Sequence, residues 1–141
     1  MTSEQIELVQ RAWGKVTALN NTYVQEVYAE LFRLSPELIN LFPDPAGMPV
    51  TKVSETLNTV ITSLEQLDAL GFIIRDLGRR HRQFNVQSHQ FGLLKQALTL
   101  VLARRLGEHF TPALSDAWSQ MYDEIAALML EGLGQHTPSA V

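Results

Sequence analysis

Residues Asp68–Phe84 read DALGFIIRDLGRRHRQF. Leu70, Ile74, Leu77, His81 and Phe84 recur at spacings of three and four, the period of an amphipathic helix, and this predicts a helix from about Asp68 to Gln83. The stripe is apolar except at His81. A neutral imidazole on a buried face needs partners for both ring nitrogens. One nitrogen can reach a backbone carbonyl one turn earlier, while the other faces apolar neighbours. His81 is then either a core histidine bonded to another side chain or a ligand to a metal.

Working outward, the flanking segments carry the same period. A first helix from Ser3 to Ala18 places Ile6, Val9, Trp13 and Val16 inward, with Thr2 or Ser3 as N-cap and Thr2 and Gln5 at capping-box spacing. A second helix carries Val24, Val27, Tyr28, Leu31 and Phe32 and ends at Ser35-Pro36, because the residue before proline avoids the α region. A short turn to Leu41-Phe42 and the loop Pro43–Pro49 follow. A long helix then resumes at Pro49 or Val50, with a stripe running from Val50 through Val53, Leu57 and Ile61 to Leu67. The helix predicted from Ser88 to Leu106 is apolar on two sides, Phe91, Leu94, Leu98, Val101 and Leu102 on one and Leu93, Ala97 and Leu100 on the other, which marks it as central. Gly107 stops it, Thr111-Pro112 caps the last helix, and Gly132–Val141 reads as a tail. The expected class is all-α, with about seven helices in one domain over residues 1–132 and a flexible tail over 133–141.

Composition narrows the function. The chain has 141 residues, 45% apolar, and no cysteine, so disulfide scaffolds, zinc-thiolate sites and thiol nucleophiles are excluded together. Fifteen acidic residues against 11 basic argue against a nucleic-acid partner. No apolar run approaches a membrane span, and the start, MTSEQIELVQRAW, is not that of a signal peptide; the expectation is a cytoplasmic protein without membrane contact. With neither thiols nor clustered carboxylates, a metal at His81 is best supplied by a cofactor that brings its own ligands and needs one axial histidine, as haem does.

Other polar residues are weaker candidates. Tyr28 lies on an inward stripe, where its hydroxyl wants a partner or could donate to a bound diatomic molecule. Arg79, Arg80 and Arg82 flank His81, and Lys52 lies on the facing helix; they could line a pocket mouth or be ordinary solvated charge. His89 opens a helix near His81, while His109 and His136 read as solvent-facing. Phosphate loops and the HExxH and GxSxG motifs are missing from the sequence.

The order of landmarks over residues 3 to 131 resembles the globin family. The resemblance rests on Trp13 in the first helix, VYAELFRLSPELINLF (27–42), DLGRRHRQF (76–84) and LGEHFTPALSDAWSQMYDEIAA (106–127). The last two stretches are similar to neuroglobin-like sequences, and the compactness is like that of single-domain bacterial haemoglobins. The resemblance implies a globin fold without a long D helix, built around haem b. It implies His81 as the proximal iron ligand, with the Leu77 carbonyl accepting from its second nitrogen. It places Phe42 against the haem face, Tyr28 and Val53 on the distal side, and Val86, Phe91, Leu94 and Tyr122 along the proximal side or haem edge. Lys52 matches a residue often near a propionate.

Two departures stand out. The usual distal histidine or glutamine position falls on Pro49, which has neither a donor nor a ligating atom, so Tyr28 becomes the main distal donor. Phe91 stands where flavohaemoglobins carry a tyrosine of a proximal hydrogen-bond network. The function implied is reversible binding of oxygen, carbon monoxide and nitric oxide, in oxygen carriage, storage or gas handling. The alternatives are a nitric oxide dioxygenase or weak peroxidase served by a separate reductase, and a haem-free sensor module.

Overall fold

The computed structural model describes residues 1–18, 22–41, 50–84 and 86–134, with backbone alone at 83 and 84. The regular structure among them is helical throughout. The α-helices are α1 (Ser3–Thr17), α2 (Tyr23–Leu34), α3 (Val50–Thr62), α4 (Leu67–Arg80), α5 (Ser88–Leu106) and α6 (Pro112–Leu133). Short 3₁₀ segments at Pro36–Leu41, Leu64–Gln66, His81–Phe84 and Gly107–His109 connect them. The six α-helices and the Pro36–Leu41 segment account for the expected all-α set.

Local chemistry explains the boundaries. Thr2 and Gln5 close a reciprocal capping box: Gln5 N–H donates to Thr2 Oγ1 at 3.1 Å, and Thr2 N–H to Gln5 Oε1 at 2.9 Å. Thr111 Oγ1 accepts from Leu114 N–H at 3.2 Å ahead of Pro112. Gly107 ends α5 at φ 56°, a conformation that costs a side chain strain. Gly134 closes α6 in the left-handed conformation, and Leu133 is buried within that helix, so the ordered chain passes the Gly132 boundary expected from sequence.

Three expectations are corrected. The helix predicted to run unbroken to Leu67 stops at Thr62. Its Thr56, Thr59 and Thr62 hydroxyls donate back to the carbonyls of Lys52, Glu55 and Asn58, a habit that weakens helices, and Ser63 N–H then bonds Val60 O in 3₁₀ register, turning Leu64 inward. The helix predicted to reach Gln83 ends at Arg80; His81 N–H bonds Gly78 O and the last turn tightens to 3₁₀. On α5, Leu100 is exposed, so the second apolar side is carried by Ala97 and the half-buried Leu93.

The main core gathers Val9, Trp13 and Val16 of α1, Val24, Val27 and Leu31 of α2, Ala97, Leu98, Val101 and Leu102 of α5, and Leu114, Trp118 and Met121 of α6. Trp13 stacks on Trp118 at 6.0 Å between centroids and meets Tyr23 edge-on at 5.1 Å. A charged lattice fastens α2 to α5: Arg104 pairs with Glu30 at 2.6 Å, and Arg105 pairs with Glu26 while donating to Thr22 Oγ1 and Val16 O. Ile74 of α4 and Leu130 and Leu133 of α6 are also buried, outside this main cluster, on two helices that lie against each other.

Candidate functional site

His81 sits at the end of α4, half-buried, as the first residue of the 3₁₀ turn. Its Nδ1 lies 2.7 Å from Leu77 O, the contact expected from the one-turn spacing. A carbonyl only accepts, so in the neutral ring Nδ1 carries the proton and Nε2 the lone pair. A backbone carbonyl fixing Nδ1–H is the arrangement that orients metal-binding histidines.

The seat of α4 is unusually close. At Gly78 a Cβ would stand 2.1 Å from Met129 O, and at Gly132 it would stand 1.8 Å from Arg75 O. Each glycine therefore lets one backbone touch the other. Arg75 Nε adds a 2.6 Å ion pair to Glu131. The three arginines around His81 do not act together. Arg79 and Arg80 both pair with Asp76 on their own helix, and the Arg79 bond holds the Asp76 carboxyl below its ordinary range. Arg82 crosses to α6, donating from Nη2 to Gly132 O at 3.1 Å and from Nε to Leu133 O at 3.3 Å.

Tyr28 of α2 is half-buried and stacked on Phe32 at 6.1 Å, 19° from parallel. Burial raises its phenol above the ordinary value, so the hydroxyl stays protonated. Val53 of α3 is half-buried against the main core, with Lys52 exposed beside it. Three bonds that the sequence reading passed over, two to side chains and one to a backbone carbonyl, hold α3 in place. Tyr23 OH donates to Ser54 Oγ at 3.2 Å, Trp13 Nε1 to Asn58 Oδ1 at 3.2 Å, and Gln10 Nε2 to Ile61 O at 3.1 Å.

Further expected residues come from α5 and α6. Tyr122 OH donates to Phe91 O at 2.5 Å, joining two of the expected residues. Burial, then the Asp123 charge, drives the Tyr122 phenol far up. Leu94 and Ile125 are half-buried against the core, and Val86 is half-buried ahead of α5. The structure thus sets Tyr28, Val53, Leu94 and Tyr122 against one core, links Phe91 through Tyr122 and links Leu77 to His81. Phe42 and Pro49 lie outside the described residues.

The residues present fit haem. Tyr28, Phe32, Leu41, Val50, Val53, Leu57, Leu94 and Ile125 are only half-buried, although the side chains behind them are almost fully buried. They leave apolar surface that a flat hydrophobic group could cover. Among the described residues, no cluster of three or more His, Asp or Glu could hold a bare metal ion, so a single imidazole donor suits a metal already ligated on four sides. No helix among the described residues is long and apolar enough to cross a membrane.

Comparison with known proteins points the same way. The family model described as Globin matches residues 25–129. The chain is 28% identical to a neuroglobin of Tetraodon nigroviridis over 146 aligned positions, covering 94% of this chain and 92% of that protein. It is 27% identical to neuroglobin-1 of Oncorhynchus mykiss and 26% identical to a neuroglobin of Chaenocephalus aceratus, with the same coverage.

Proposed function

The chain belongs to the globin family, and we propose that it binds oxygen reversibly at a haem b iron held by His81. Family membership implies haem and a diatomic gas ligand; the assignment of each residue is our reading. The observation that carries it is the 2.7 Å contact from His81 Nδ1 to Leu77 O, which leaves the lone pair on Nε2. Bound haem would supply an iron able to take up the gas. Val86, Phe91, Leu94 and Tyr122 would hold its proximal side and edge, and Phe42 and Val53 would keep water from the ligand side. Lys52, exposed beside Val53, would meet a propionate at the rim.

Tyr28 would be the distal donor. Its protonated hydroxyl, raised by burial, can hydrogen-bond a ligand that carries partial negative charge. Such a bond contributes about 1.5–3 kcal/mol, a roughly ten- to hundredfold effect on affinity. The main test is the absorption spectrum of the purified protein in ferric, ferrous and carbon monoxide-treated forms. A Soret band that is lost in His81→Ala and restored by added imidazole is expected; a His81→Ala protein with the wild-type spectrum would refute the assignment. Stopped-flow oxygen release from Tyr28→Phe should be faster by the same ten- to hundredfold, and an unchanged rate would remove Tyr28 from the site.

A further inference from the structure

We infer that Gly78, Gly132 and Arg82 are positioning residues for the His81 imidazole, so that the C-terminal end of α6 sets where that ring stands. The inference rests on His81 being the haem ligand.

Two observations carry it. First, α4 touches α6 backbone to backbone. The atoms that a Cβ would strike, Met129 O at Gly78 and Arg75 O at Gly132, belong to main chains, which cannot swing aside as side chains do. That contact fixes the separation of the two helices. His81 follows Gly78 by three residues and its N–H bonds Gly78 O, which ties the turn that bears the ring to the contact.

Second, the residue next to His81 is bonded to the end of α6. The last carbonyls of a helix have no partner within it, and they carry the negative end of its dipole. Arg82 satisfies two of them, Gly132 O and Leu133 O, with one guanidinium. The turn bearing His81 is therefore held by the glycine contact on one side and by the arginine clasp on the other. The Nδ1 bond to Leu77 O limits rotation of the ring within its helix, and the α6 contacts set the position of that helix.

The test uses haem-loaded protein treated with cyanide in the ferric state, in which proton NMR resolves the hyperfine-shifted ring protons of an iron-bound histidine. Arg82→Met keeps the aliphatic stem and removes both carbonyl bonds at an exposed position. It should move the His81 ring resonances and speed haem transfer to an excess of an apo-globin acceptor by about two- to tenfold, the range that a lost hydrogen bond supplies. Arg82→Lys should restore much of both, and Gly78→Ala and Gly132→Ala should move the same resonances. Should a glycine variant fail to fold, Arg82→Met alone decides. Ring resonances unmoved by Arg82→Met overturn the inference while leaving the ligand assignment intact. Survival of the wild-type haem spectrum in His81→Ala would instead overturn both.

Discussion

The two backbone contacts between α4 and α6 predict that one substitution has opposite signs at different glycines. At Gly132 an alanine Cβ would stand 1.8 Å from Arg75 O, and at Gly78 2.1 Å from Met129 O. A carbon rests against a carbonyl oxygen at about 3.3 Å, so the helices would have to part by more than about 1 Å at either site. Overpacking of this kind costs about 1–3 kcal/mol, and an unyielding backbone neighbour places these sites at the upper end. Alanine's better helix propensity returns about 1 kcal/mol, leaving a net loss near 2 kcal/mol. For a chain of this length that lowers Tm by about 6 °C. At Gly14 and Gly92 nothing lies within 4 Å of the added carbon. There alanine should stabilise by about 1 kcal/mol and raise Tm by about 3 °C. Gly71 falls between, since its nearest neighbour is the far end of the Arg75 side chain at 3.2 Å, which can shift more readily than a backbone. Thermal melts of the five alanine variants, followed by circular dichroism in parallel, give the comparison. If Gly78→Ala and Gly132→Ala melt with or above the wild type, the close seating of α4 is wrong.

The three tyrosines, Tyr23, Tyr28 and Tyr122, are all raised above the ordinary value of 10.0, in each case chiefly by burial. The folded state then keeps protons that the unfolded chain loses, so this contribution to stability is complete below about pH 10 and falls as pH rises further. Phenolate absorbance should appear above pH 10 together with loss of helix; a normal titration of all three with helix retained would contradict the burial. Glu30 is held below its ordinary value of 4.5 by hydrogen bonds to Arg104 and then Arg33. Its contribution is present above the unfolded value and lost as pH falls, so Glu30→Gln should flatten the acid limb of a stability–pH curve, and an unaltered limb would count against the α2–α5 lattice. Asn58→Ala leaves the buried Trp13 Nε1 without its 3.2 Å acceptor and should cost about 1–3 kcal/mol in urea unfolding, with an effect near zero arguing against that anchor.

The parts legible in the sequence were those set by neighbours along the chain. The caps at Thr2 and Thr111, the stop at Gly107 and the His81–Leu77 contact all follow from spacings of three or four residues, which a helix turns directly into proximity. The same rule makes the Asp76 pairs of Arg79 and Arg80 readable. The partners of Arg82 are not readable this way. They are carbonyls about fifty positions away, and a carbonyl carries no side-chain signature. Periodicity shows that α4 has a buried face but not which helix covers it. Gly78 and Gly132 were the available signal, since a glycine kept inside a helix often marks a close approach. The early end of α3 was missed because the apolar stripe continues through Ser63, while the threonine hydroxyls that compete for its carbonyls leave no trace in a hydrophobic pattern. Val53, Leu94 and Tyr122 rest on resemblance more than on physics, because an apolar residue facing a cofactor would have the same spacing as one facing the core.

Ile74, Leu130 and Leu133 are buried outside the main core cluster, and α6 is the chief helical partner of α4. The helix bearing His81 can therefore come away as one cooperative unit while the tryptophan-centred core stays folded. Its amide protons should exchange through that shallower opening, faster than those of α1 and α5. A bound cofactor gripping His81 would tie that helix to the rest of the molecule and draw the two exchange classes together. Occupancy of the site would then be recorded in the cooperativity of the whole chain.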